Sequence, residues 1–204
     1  MNRTADVVIV GAGVIGSATA FELAKRGYKT LNIDKLPASG YGSTSNSCAI
    51  VRAHYSTWDG VAMAYEGFFY WDDWNKYLEV EDERGMAKYM KTGSIMFMLK
   101  GADHSKKSLN LFKEIGVEHE IWDLETLKKK MPIYSHDSYN GTSRPDEDDS
   151  FFDKSGDQIV GAVWTPGSGY VSDPQLATHN LQVATEAKGG EFLFDAEITE
   201  IRQS

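Results

Sequence analysis

The sequence predicts an α/β fold, a parallel sheet with helices on both faces, and three observations predict it. An apolar run, Val7-Val8-Ile9-Val10, ends in the turn Gly11-Ala12-Gly13-Val14-Ile15-Gly16. A helical pattern follows, and a second apolar run, Thr30-Leu31-Asn32-Ile33, delivers Asp34 at its end. Strand, G-x-G-x-x-G turn, helix, strand and acidic residue in this order make a βαβ unit that binds a dinucleotide.

Each element has a physical reason. Val7 to Val10 lacks polar alternation, which predicts a parallel strand buried on both faces. Gly11 permits a tight turn, Gly13 lets backbone approach a pyrophosphate, and Gly16 lets the helix pack closely on the sheet. The helix presents Val14, Ala18, Phe21 and Ala24 at helical spacing, and Gly27 punctuates its end. Its first N–H groups and positive dipole end face the phosphates. A carboxylate at position 34 accepts hydrogen bonds from ribose hydroxyls and repels a 2′-phosphate, which disfavours NADP.

The 204 residues allow one large domain, or one domain and part of another. Apolar content of 41% and charged content of 25% are those of a globular protein with a sizeable core. A net charge of -9 with no basic stripe argues against a nucleic-acid partner. The single Cys48 forbids an intramolecular disulfide and fits a reducing compartment. The N-terminus reads directly as a strand and no apolar run has membrane-spanning length, so a cytoplasmic protein without a membrane partner is expected. Residues 196–204 read as a strand with nothing to close it, so the chain is expected to be the front of a longer protein.

Between these ends, Leu36 to Ser47 has the Gly, Ser and Pro content of a loop. A helix is expected from Thr57–Asp59 onward, with Met63, Tyr65, Phe68, Phe69, Trp71, Trp74 and Tyr77 read as core. Strands are expected at Thr92–Leu99, Ile121–Trp122, Val160–Thr165, Phe192–Phe194 and Ile198–Ile201. Helices are expected at Ser105–Ile115, at Leu124–Met131 before Pro132, and from Pro174, capped by Asp173, to about Lys188. Lys128, Lys129 and Lys130 suit a helix C-terminus. Asn140-Gly141 signals a hairpin. The acidic stretches Asp146–Asp149 and Asp153–Asp157 lack the ligand order of an EF-hand and read as exposed loop. His54, His104, His119, His136 and His179 show no metal-ligand spacing, and there is no G-x-S-x-G elbow, so neither a zinc site nor a serine hydrolase is expected.

Three separated segments then carry a family resemblance: Gly11 to Gly27, Gly42-Ser43-Thr44-Ser45, and Ile50-Val51-Arg52-Ala53-His54-Tyr55. With Gly169-Tyr170-Val171-Ser172-Asp173-Pro174, they resemble the N-terminal half of the FAD-dependent amino-acid oxidase family, and within it the sarcosine and dimethylglycine oxidases and dehydrogenases. The likeness covers most of the chain; residues from about 135 to 158 match poorly. It implies a Rossmann-type FAD-binding domain at residues 1–87 and 159–204, incomplete, and part of a mixed-sheet substrate domain at 88–158. It implies FAD as the cofactor, held by Gly11, Gly13, Val14, Ile15, Gly16, Asp34, Lys35, Gly42, Ser43, Thr44, Ala49, Ile50 and the backbone at Ile198. Arg52 stands where the sarcosine oxidases bind the substrate carboxylate, and its planar fork suits that task. His54 and Tyr55 are candidates for the same catalytic site, with packing as their alternative role.

The implied reaction is oxidation of a C–N bond in a small amino acid or N-methylated amine, with hydride-equivalent transfer to the flavin and hydrolysis of the imine. A histidine that carries flavin covalently in dimethylglycine dehydrogenases is matched here by Asn46, which cannot form that bond. Cys48 reads as a small buried residue. Two alternatives stay open: an NAD-dependent dehydrogenase, which the first fingerprint serves equally, and a non-catalytic nucleotide-binding subunit that needs a second polypeptide to complete its fold.

Overall fold

The computed structural model describes residues 3–101, 104–139, 144, 146, 147 and 149–202. In chain order its elements begin with β1 (Val7–Val10), α1 (Val14–Lys25), β2 (Thr30–Ile33), β3 (Ile50–Val51), α2 (Trp58–Asp72) and α3 (Trp74–Leu78). Next come β4 (Tyr89–Met90), β5 (Ser94–Leu99), α4 (His104–Ile115), β6 (Glu120–Asp123) and α5 (Leu124–Lys130). The last are β7 (Asp137–Tyr139), β8 (Lys154–Thr165), β9 (Gly169–Val171), α6 (Pro174–Ala187) and β10 (Glu191–Leu193). The chain forms two compact units, one of Met1–Val51, Phe69–Met90 and Tyr170–Ser204, the other of Arg52–Phe68 and Lys91–Gly169. The Asn140-Gly141 hairpin signal and Asp148 lie outside the described residues, as does the side chain of Asp157.

The first unit is the expected α/β layer. β1 and β10 flank β2, both parallel to it, with Val8 opposite Leu31 and Phe192 opposite Asn32. Side chains alternate across the sheet, so Val7, Ile9, Thr30 and Asn32 share one face. There the buried Asn32 donates from Nδ2 to the Gly11 carbonyl at 3.1 Å. Phe21 of α1 meets Ala177, Leu181 and Ala184 of α6 and Trp74 and Leu78 of α3 in one core. α6 starts as expected: Asp173 accepts from the Leu176 N–H at 2.9 Å, with Pro174 in the first turn. A small second sheet in the order β3-β9-β4 completes the unit.

Three expectations need correction here. Val8 and Val10 are 53% and 67% exposed rather than buried, because no described element covers their face. No strand forms at Ile198–Ile201, since no neighbouring strand pairs with it among the described residues. The aromatic helix is two helices, broken where Asp73 leaves helical geometry (φ −127°, ψ 50°). Of the side chains expected in its core, Phe68 and Trp74 are buried and Trp71 and Tyr77 pack on the core, whereas Met63 and Phe69 are exposed.

The second unit is an antiparallel sheet. β8 pairs on one edge with β5 and on the other with β6, and its start pairs with β7. The expected mixed pairing is absent among the described strands, because β5, β6 and β7 all run against the single long β8. Trp122 and Trp164 stack at 5.1 Å over Leu127, Ile159 and Ala162. No helix among the described residues is long and apolar enough to cross a membrane.

Candidate functional site

The glycine turn leaves the carboxyl end of β1 through Gly11, at φ +106°, a conformation open to glycine and costly for other residues. A Cβ at Gly16 would stand 2.2 Å from the Gly11 carbonyl oxygen, so the start of α1 lies directly on the turn. Asp34 ties the two strand ends together: its Oδ2 accepts from the Ala12 N–H at 2.7 Å and its Oδ1 from the Leu36 N–H at 2.9 Å. Both oxygens keep a further lone pair for a ligand hydroxyl.

The Gly42–Thr44 loop comes to the same place. Thr44 Oγ1 accepts from the Val14 N–H at 3.1 Å, and Gly40 donates to the Ala12 carbonyl at 2.9 Å. Ser45 and Asn46 both donate to the Gly42 carbonyl, which closes the loop on itself. Ser43 and Ile15 face solvent beside the first turn of α1, whose opening N–H groups have no carbonyl partner within the helix. The other end of the chain contributes too. Ala196 donates to the Asp34 carbonyl at 3.0 Å, and a cavity of about 290 Å³ is lined by Val10, Gly11, Ile33, Asp34, Lys35, Ala196, Glu197 and Ile198. Val10, Ala196 and Glu197 were not among the residues read from sequence. The place of Ala196 and Glu197 depends on backbone bonds after β10, which no local pattern announces.

Ala49 holds φ +53°, left-handed backbone that a non-glycine residue seldom adopts, and its carbonyl accepts from Val171 N–H at 3.0 Å. Cys48, expected to be buried, is exposed, because the segment before β3 runs along the surface. Ile50 is also exposed.

Arg52, His54 and Tyr55 belong to the second unit. Arg52 is exposed and makes no ion pair among the described residues; its guanidinium lies 5.9 Å from the Tyr55 ring. His54 Nε2 lies 2.8 Å from Thr165 Oγ1 and 3.2 Å from Ser94 Oγ. Burial, aided by the Arg52 charge, holds its pKa down at about 4, so the ring is neutral near pH 7. The Tyr55 carbonyl accepts from Ser108 Oγ at 3.2 Å.

A glycine turn between parallel strands, with a carboxylate closing the second, defines the dinucleotide-binding α/β class. Within that class the chain belongs to the FAD dependent oxidoreductase (DAO) family, whose model matches residues 6–204. A monomeric sarcosine oxidase of a Bacillus species is 29% identical over 149 residues, which cover 71% of this chain and 37% of that protein. Another, of Streptomyces avermitilis, is 25% identical over 200 residues, 98% of this chain and 45% of that protein. The structure of L-proline dehydrogenase from P. horikoshii shares the fold, with a TM-score of 0.74 at 21% identity over 98% of this chain and 46% of that one. The chain therefore spans less than half the length of these relatives.

The residues present fit FAD. A Cβ at Gly13 would come within 3.2 Å of Thr44 Oγ1, so the space between turn and loop is open only because position 13 has none. The groups around it are amides and hydroxyls, the donors a pyrophosphate needs.

Proposed function

We propose that the chain is the FAD-binding portion and part of the substrate-binding portion of an enzyme that oxidises the C–N bond of a small amino acid or N-methylated amine. The observation that carries this reading is Arg52, exposed and without an ion pair among the described residues, one residue beyond β3. A guanidinium fork so placed suits a carboxylate bidentately. The sarcosine oxidases among the relatives support the substrate class.

On this reading the amides around Gly13, Ile15 and Gly16 and the hydroxyls of Ser43 and Thr44 hold the pyrophosphate. Gly11, Val14, Asp34, Lys35 and Ile198 bound the nucleoside end, and the backbone of Ala49 and Ile50 borders the ring. Arg52 orients the substrate through its carboxylate, with Tyr55 beside it. FAD, when bound, supplies the acceptor for the hydride equivalent, and water hydrolyses the imine. The first unit carries the cofactor site and the second begins the substrate site. The remaining contacts lie on polypeptide outside these 204 residues, whether the same chain or a second one. The single cysteine fits a cytoplasmic setting.

The test is a thermal shift of the purified chain with FAD, NAD⁺ and NADP⁺. A ligand that binds only the folded state raises the melting temperature by mass action. FAD is expected to raise it, weakly, and Gly13→Val to remove the rise. A rise with NAD⁺ and none with FAD overturns the reading in favour of a nicotinamide enzyme. Stoichiometric yellow flavin and oxidation of N-methylglycine by this chain alone would refute the need for further polypeptide.

A further inference from the structure

We infer that His54 is a positioning residue, clamped by the hydroxyls of Ser94 and Thr165, with Ser168 holding Thr165 in turn, and that this clamp sets the Arg52–Tyr55 segment for its ligand. The inference rests on Arg52 being the carboxylate anchor. Its evidence lies wholly within the second unit.

Thr165 Oγ1 is the centre of the cluster. It lies 2.8 Å from His54 Nε2, 2.8 Å from Ser94 Oγ and 2.9 Å from Ser168 Oγ. Thr165 and Ser168 are fully buried. The three hydroxyls come from the start of β5, the end of β8 and the turn after it, and the Gly93 N–H closes that turn on the Ser168 carbonyl at 2.8 Å. The imidazole thus spans from the sheet to the 52–55 segment. Phe112 of α4 closes one side, edge to face at 5.4 Å. Ser108, also on α4, donates to the Tyr55 carbonyl, and Ala53, between Arg52 and His54 in the chain, is fully buried.

The chemistry of the clamp decides the role. Its members are Ser94, Thr165, Ser168 and Phe112, all uncharged, and the charged group near the ring is Arg52. Among the described residues no carboxylate bonds to the ring to stabilise an imidazolium, and the Arg52 cation opposes one. A proton carrier must be charged for part of its cycle, and this ring is built to stay neutral. What it does is fix backbone. Arg52 is exposed with no ion pair to hold it among the described residues, so its aim depends on the pinned residues that follow it.

Two measurements on the 204-residue chain test this. Long-range nitrogen NMR of the histidine rings, from about pH 8 to about pH 5, is expected to show one neutral tautomer for His54 throughout. Thr165→Ser keeps the hydroxyl and should keep that tautomer; Thr165→Val keeps the shape and should give an averaged ring. A His54 ring that titrates above about pH 6 in the unaltered chain overturns the clamp, as does an unchanged ring in Thr165→Val. Acetate is then titrated against the Arg52 side-chain N–H signal. Thr165→Val should weaken acetate by about tenfold, as for one lost hydrogen bond, with Thr165→Ser within about twofold of the unaltered chain. Equal acetate affinity in Thr165→Val overturns the positioning role. No acetate response at Arg52 in the unaltered chain refutes the anchor, and the positioning role with it, while the ring measurement still decides the clamp.

Discussion

A methyl group at position 16 would meet the Gly11 carbonyl oxygen at 2.2 Å, a Cβ against fixed backbone with no flexible side chain to give way. Gly16→Ala is therefore expected to destabilise the chain by about 1–3 kcal/mol, the cost of overpacking a close contact, and to remove stabilisation by FAD. Gly67 in α2 is the control: an added Cβ meets nothing within 4 Å, so Gly67→Ala should be neutral or gain about 0.5–1 kcal/mol. Urea unfolding of the two variants measures both, and equal stabilities would refute the close-packing account. Position 16 was legible in sequence because its requirement is local. Asp34 was legible as a carboxylate at a strand end, but its hold on the Ala12 and Leu36 amides was not, since those bonds depend on how the turn and loop are threaded. Cys48 misled because a small apolar side chain in sequence carries no sign of which way its segment faces.

At the scale of one helix, α6 shows what pattern reveals and what it hides. Asp173 and Pro174 announced its start in sequence. Asn180, fully buried in its middle, did not stand out, yet it joins α6 to the segment after α3. Its Nδ2 donates to Asp82 Oδ2 at 2.8 Å and to the Gly85 carbonyl at 2.9 Å, while its Oδ1 accepts from the Ala87 N–H at 2.9 Å and from Trp74 Nε1 at 3.3 Å. Those partners lie 93 to 106 residues away in sequence, beyond the reach of any periodicity. Asn180→Leu takes a partner from each of them, although Asp82 Oδ2 keeps His179 Nδ1, and should cost about 2–4 kcal/mol, against about 1 kcal/mol for the exposed cap in Asp173→Ala. The urea midpoints order the two; a cap loss as large as the Asn180 loss would contradict it. Short pairings such as β3 and β4, two residues each, escaped sequence analysis for a similar reason, since they exist only where a partner strand passes.

Across the whole molecule, the two units carry different acid-sensitive groups. In the first, burial pushes the Asp82 carboxyl up, but hydrogen bonds from the Arg84 amide, His179 and Asn180 outweigh it and leave it below its ordinary value of 3.8. Its stabilisation is present above that value and fades as pH falls below it. His54 in the second unit is depressed from 6.5 to about 4. Unfolded chain binds a proton in that window and folded chain does not, so this contribution is complete above 6.5 and declines toward 4. The second unit should therefore loosen first on acidification. Amide exchange near pH 4.5 should show β8 losing protection while α6 keeps it; the reverse order would contradict this. Sequence made the first unit's architecture readable because a parallel βαβ unit repeats a fixed local order. It left the second unit's pairing obscure because one strand, β8, receives partners from three separate places.

The bare flank of β1 has a practical side. Val8 and Val10 stand in solvent on a strand that forms the margin of its sheet among the described residues. An apolar margin of this kind is a template for strand addition and for clumping between molecules. Protein concentration, more than temperature, will then govern how much of the isolated chain stays dispersed, and a charge introduced at Val8 lies outside the lining of the cavity that Val10 shares with Gly11 and Asp34.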